Sequence, residues 1–123
     1  MRRLTLVATI LAAALVVAPA AGARPTLDCK SADLRYPFVP GGAKNFGVFK
    51  LQITGGTCTT AHRVAAAWMT RFERSITSGS AKPPRSAAGF TFTTLPATAA
   101  QTYRERGRKG TTSVRFDYRV PNG

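Results

Sequence analysis

The chain is short of the side chains that carry most enzymatic chemistry. It holds one histidine, two cysteines and five acids. A protein metal site draws three or four ligands from His, Cys and carboxylates, and His62 is the single histidine, so no metal is expected. No G-x-S-x-G, P-loop or H-E-x-x-H pattern occurs. A glycosidase pair needs two carboxylates converging across one cleft. The five acids are Asp28, Asp33, Glu73, Glu105 and Asp117. Glu73 and Glu105 are set among arginines, and Asp117 lies on the arginine-bearing side of its strand, so each reads as an ion-pair partner. The sequence therefore predicts a non-enzyme with no catalytic residues and no cofactor.

Long hydrophobic runs are also scarce. The single one, Leu4 to Ala18, follows Arg2 and Arg3 and leads into Pro19 and an A-x-A arrangement at Ala21 and Ala23. At about 15 residues it falls short of the roughly 20 needed to span a bilayer. Residues 1–23 read as a secretory signal peptide cut after Ala23. Residues 24–123 then form a single domain with enough chain for one modest core. Cys29 follows Thr26-Leu27-Asp28 rather than the small residues of a lipobox, so a secreted protein, in solution or at the cell envelope, is expected.

Cys58 and His62 stand four residues apart at the start of a helix, a spacing that would let an imidazole lower a thiol pKa. Two cysteines in an exported protein usually pair instead. Cys29 and Cys58 would close a loop of about 30 residues, contributing roughly 3.5 kcal/mol in the chain-entropy view. The disulfide is preferred over a free reactive thiol, and His62 becomes a partly exposed residue at the polar border of the helix.

Positive charge, by contrast, is abundant. Lys and Arg number 18 and the net charge is +13, two lower once Arg2 and Arg3 leave with the leader. Such an excess speaks to partners and solubility, not to fold. It favours anionic envelope polymers or an anionic membrane surface. The candidate anion-binding residues are Arg104, Arg106, Arg108 and Lys109, which "YRERGRKG" gathers at one turn, with Arg115 and Arg119 on the polar side of the next strand. Arg63, Arg71 and Arg74 lie on the outer side of the helix. Aromatic residues other than Tyr103 do not interleave with these basics as stacking platforms would, so nucleic acid is disfavoured as a partner.

Periodicity supplies the architecture. From Phe46 to Ile53 the chain alternates, with Phe49, Leu51 and Ile53 on the inner side of a half-buried strand. Thr57 or Thr59 is a natural N-cap, and Cys58, Ala61, Val64, Ala65, Trp68, Met69 and Phe72 fall on one stripe of an amphipathic helix. The helix fades by Ser78, and Gly79 ends it. Residues 78–89 read as a flexible loop around Pro83-Pro84, and residues 24–40 as irregular. Strands are expected at Phe90–Leu95, around Ala100–Arg106, and at Ser113–Val120 after a turn at Gly107–Gly110. The fold class is α+β, one amphipathic helix packed on a small antiparallel sheet.

The helix stretch Thr57-Cys58, Ala61, Val64-Ala65 and Trp68, the run Gly89-Phe90-Thr91-Phe92 and the run Val114-Arg115-Phe116-Asp117-Tyr118 resemble a group of small secreted actinobacterial proteins of unknown function. The resemblance spans roughly residues 57–119. It implies a secreted α+β domain and brings no activity or ligand. Cys29 fits the group's early cysteine. Phe92 stands where the group often has a cysteine, which implies that a second disulfide is missing here and leaves Phe92 to pack, on this reading, against Tyr103.

The sequence thus favours a secreted or envelope-associated basic domain that binds anionic polymers or head groups. The rivals are a structural or protein-interaction domain with incidental charge, and a small enzyme inhibitor presenting the loop of residues 78–89. The oligomeric state is not legible. The A-x-A site predicts a mature N-terminus at Arg24: intact-mass measurement of the exported protein should find residues 1–23 missing, and their retention would make this an anchored protein.

Overall fold

A computed structural model describes residues 24–97 and 99–121; the expected leader, residues 1–23, and its cleavage site lie outside the described residues. One helix, α1 (Cys58–Thr77), packs on one face of an antiparallel sheet of seven strands. The strands are β1 (Thr26–Asp28), β2 (Arg35–Tyr36), β3 (Phe46–Thr54), β4 (Ser86–Ala87), β5 (Phe90–Leu95), β6 (Thr102–Lys109) and β7 (Thr112–Arg119). Their order is β1-β3-β7-β6-β5-β4, and β2 pairs with β3 beside a short 3-10 turn at Ala32–Leu34. The α+β expectation holds. The irregular reading of residues 24–40 does not: β1 and β2 are edge strands of three and two residues, too short to show a period.

Helix α1 begins where the sequence places it. Thr57 is the N-cap, and its hydroxyl accepts from the Thr60 N–H at 3.3 Å, satisfying one of the orphan donors of the first turn. The apolar stripe buries Ala61, Val64, Ala65, Trp68 and Phe72. Trp68 is the centre of the core. Its ring meets Phe116 and Tyr118 edge-on, each at 5.2 Å, and Phe72 at 5.0 Å. Such aromatic pairs add to the burial term when offset or edge-on. Gly79, at φ 85°, ends the helix in the left-handed conformation that glycine adopts at little cost.

The disulfide joins Cys29 to Cys58, with Cα atoms 5.3 Å apart. It staples the segment after β1 to the first residue of α1. Among the described residues no helix is long and apolar enough to cross a membrane.

Strand β3 departs from its sequence reading. The register with β7 shifts between Phe49 and Gln52, and Lys50 has φ 53°. One extra residue is thus inserted in β3, a β-bulge. Val48, Leu51 and Ile53 all face the core and are buried, while Phe49 is turned to the opposite face. Period-two alternation cannot hold both Val48 and Leu51 inside, and the bulge is what allows it.

The loop of residues 78–89 is partly tied down, contrary to expectation. The Lys82 N–H donates to Ser75 Oγ at 2.7 Å, β4 pairs with β5, and Arg71 donates to the Ser86 carbonyl at 3.0 Å. The turn between β6 and β7 sits at Gly110-Thr111, one residue pair past Lys109↔Thr112, rather than at Gly107–Gly110. Gly107 is inside β6, opposite Phe92 of β5 and Val114 of β7. Phe92 therefore does not pack on Tyr103. Its ring lies over Gly107, and Tyr103 packs instead on Phe72 with ring centroids 4.9 Å apart.

A methyl group at Gly107 would stand 2.6–3.0 Å from three atoms of the Phe92 ring. Gly107→Ala should therefore destabilise by about 1–3 kcal/mol, the usual cost of overpacking. Urea unfolding should show it, and adding Phe92→Leu should recover part of the loss because the two sites share one contact.

Candidate anion-binding face

With α1 on one side of the sheet only, alternate residues of every strand face water. On β6 these are Arg104, Arg106 and Arg108, repeating at about 6.8 Å along the strand. On β7 they are Arg115, Asp117 and Arg119. Arg106 and Arg115 stand directly opposite each other in the ladder. Neither makes an ion pair among the described residues, where the two pairs present are His62–Asp33 and Arg104–Asp117. Like charges at directly opposed positions destabilise a sheet.

Two acids interrupt the face. Asp117 is largely buried there and accepts from Arg104 Nε at 3.3 Å. Asp28, on edge strand β1, accepts from Gln52 Nε2 at 2.8 Å. Lys50 joins the face through the bulge. Together Lys50, Gln52, Arg104 and Arg115 line a hollow of about 220 Å³ around Asp117. Phe49, also turned outward by the bulge, carries Arg119 over its ring at 4.1 Å and Arg35 at 4.3 Å, cation–π contacts that hold both guanidinium groups beside the ring. An aromatic ring does interleave with the basics here, contrary to the sequence reading. Phe49 was missed because simple alternation puts it inside.

Five of the six candidate residues share this face. Lys109 does not. Its parity is that of Gly107, and its ammonium end lies on the other side, near Gly89. It was grouped with the arginines because the stretch reads as a turn, and the stretch is a strand. Arg63, Arg71 and Arg74 are exposed on the helix, in the layer away from this face.

Glu105 overturns its expected role. Its neighbours Arg104 and Arg106 point outward, so Glu105 points into the core, opposite Thr94 and Phe116. It is fully buried. Thr94 Oγ1 donates to Oε1 at 2.7 Å, and Oε2 has no partner. Burial pushes the carboxyl up to about 7, and the Thr94 hydrogen bond offsets only part of that rise. Strict alternation along Thr102–Lys109 would have revealed it. Glu73 is likewise no partner of an arginine: its Oε1 accepts from the Tyr118 hydroxyl at 3.2 Å.

Cys58 and His62 form no reactive pair, since Cys58 is in the disulfide and His62 Nε2 lies 2.6 Å from Asp33 Oδ2. Among the described residues no three His, Cys, Asp or Glu side chains cluster. No protein-family model matches the chain, and neither does any curated protein or solved structure.

Glu105 also sets a pH dependence. Its folded pKa of about 7 lies above the ordinary value of 4.5, so between these pH values the folded state binds the extra proton. Stability from this group is full below about pH 4.5 and falls as pH rises to about 7, by at most about 3 kcal/mol. Glu105→Gln should remove that slope and be more stable than the parent at pH 8. Thermal unfolding followed from pH 4 to pH 8 would check it, with an unchanged slope in the variant as the contrary result.

Proposed function

We propose that this protein is a non-enzymatic, exported basic domain that binds anionic polymers of the cell envelope, or anionic membrane head groups, across the open face of its sheet. The observation that carries the reading is the Arg106–Arg115 pair. Arg106 and Arg115 are directly paired across β6 and β7, and neither is in an ion pair among the described residues. Folding gains nothing from that opposition, whereas an anion bound between them would bridge both, and guanidinium groups bind phosphate-like or carboxylate oxygens in a bidentate fork. Arg104 and Arg108 extend the row along β6. The leader-like residues 1–23 and the disulfide support export, as does the similarity of the helix motif to small secreted actinobacterial proteins. No comparable observation favours an inhibitor.

Heparin serves as the polyanion probe. Binding to such a face proceeds mainly by counterion release, for which duplex DNA gives a slope of log K against log salt of about −0.9 per contact. Five contacts imply a slope of about −4 to −5 on that scale. Arg106→Ser, Arg108→Ser and Arg115→Ser together should flatten it by up to about 3, while Lys109→Ser, on the other side of the sheet, should leave it nearly as it was. Stability should stay within about 0.5 kcal/mol, because these side chains make no ion pair. A triple variant that binds with the parent's affinity and slope would leave the charge incidental.

A further inference from the structure

We propose that a second, separate site lies in the cleft beside the C-terminal end of α1, and that it binds an organic ammonium carrying a hydrophobic group, with Glu73 as counter-ion. The cleft is bounded by the last two turns of α1, the start of β6 and the end of β7, and has a volume of about 530 Å³. That is within the range of small-molecule sites, which combine apolar and aromatic walls with a few convergent polar groups. The walls here are Tyr36, Phe72, Tyr103 and Ile76. Ile76 is 43% exposed, one of four large apolar side chains so open to water among the described residues.

The polar group that converges on these walls is a carboxylate. Glu73 accepts a single side-chain hydrogen bond, from the Tyr118 hydroxyl, and takes part in neither of the ion pairs of the described residues. Tyr118 is itself buried, and burial, with Tyr36 and Glu73 beside it, pushes its hydroxyl well above the ordinary tyrosine value. It therefore stays a donor that fixes the carboxylate in place. In a chain with 18 basic residues and five acids, an exposed carboxylate at the mouth of an aromatic cleft, with no ion-pair partner among the described residues, is out of keeping with simple surface pairing. Its position also opposes helix electrostatics, because acids are unfavourable toward the C-terminal end of a helix. The same helix end adds negative potential to the cleft.

Three features then select one class of ligand. The carboxylate and the helix end attract a cation and repel anions. The half-exposed rings of Tyr36 and Tyr103, with Phe72 buried behind them, favour an ammonium through cation–π attraction. The volume of the cleft, about 530 Å³, and the apolar Ile76 wall accommodate a hydrophobic body attached to it. The site is remote from the basic sheet face, since its residues come from α1, the core side of β6 and β7, and the β2 edge.

The test uses the full chain with its disulfide intact and follows aromatic and methyl NMR signals. Titration with 3-phenylpropylammonium should shift Tyr36, Tyr103, Tyr118 and Ile76 selectively, and the neutral 3-phenylpropanol should bind more weakly. Glu73→Gln keeps the shape and an acceptor for Tyr118, so its spectrum should remain that of the folded parent. It should weaken the ammonium by about fivefold or more and leave the alcohol unchanged. Tyr103→Leu provides a second variant that reduces the half-exposed aromatic wall and should weaken the ammonium as well. A capped lysine peptide in a parallel titration separates the sources: equal affinity assigns the cleft to lysyl side chains, and much weaker binding assigns it to free amines. Equal affinity for alcohol and ammonium, unchanged ammonium affinity in Glu73→Gln, or no localised shifts up to the solubility limit would each overturn the proposal. The Arg106, Arg108 and Arg115 substitutions should not alter this titration, so it stands or falls apart from the basic face.

Discussion

One helix covers one face of the sheet, and every other property of the molecule is arranged around that coverage. Trp68 sits at its centre, with Phe72 from its own helix and Phe116 and Tyr118 from β7 around the indole. A helix of 20 residues is about 30 Å long, enough to lie across the central strands. Among the described residues no second layer covers the opposite face. Each strand is therefore sorted residue by residue into a dry side and a wet side. β6 carries Tyr103, Glu105 and Gly107 on the dry side and three arginines on the wet side. The chemistry of the protein follows from this parity more than from nearness in sequence, as the separation of Lys109 from Arg108 demonstrates.

Among the described residues the bulge in β3 is the one register shift that breaks parity. It holds Lys50 at φ 53°, a left-handed conformation that costs a non-glycine residue about 1–2 kcal/mol. In return Val48, Leu51 and Ile53 are all buried, each worth about 1.5–3 kcal/mol on full burial. The same residue insertion puts Lys50 and Phe49 on the wet face, where Phe49 receives two guanidinium groups. Glycine at position 50 would relieve the backbone at no packing cost. That lysine stands there instead adds a cation beside Arg104 and Arg115 at the expense of local strain. Bulges re-aim side chains next to functional sites, and this one aims two residues at once.

Much of this was legible in the sequence where a period ran long enough. Helix α1 announces itself by a stripe from Cys58 to Phe72 with Thr57 before it, and β7 by the alternation of Val114, Phe116 and Tyr118. The disulfide is the pairing expected of two cysteines behind a leader-like N-terminal sequence. Three things were hidden for physical reasons. Edge strands of two or three residues carry no period. Gly107 beside Arg108 and Lys109 looks like a turn, and only the Phe92 ring overhead explains a glycine inside a strand. The bulge leaves an unbroken alternation from Phe49 to Ile53 that is wrong at its first residue. The cleft is harder still, because Tyr36, Phe72 and Tyr103 meet there from segments that share no local pattern.

The few acids are placed as unexpectedly as the cations. In a chain this basic, each carboxylate could find an arginine at the surface at almost no cost, and surface pairs are worth little either way. Among the described residues only Asp117 does so with an arginine. Glu105 is buried with an unpartnered oxygen, a position where a neutral residue of the same shape would fold at least as well at high pH. Glu73 faces an aromatic cleft near the wrong end of a helix dipole. Meanwhile Arg106 and Arg115 oppose each other, and Lys50 strains its backbone to join them. Each of these choices works against folding by a modest amount, and together they weigh noticeably in a domain whose net stability is of the order of 5–15 kcal/mol. Departures from local consistency concentrate where a sequence serves something other than its own fold. Of these four departures Glu105 is in the core, two are on the wet face of the sheet and one is at the mouth of the cleft, so those two surfaces, rather than the exposed side of the helix, are where binding should be sought.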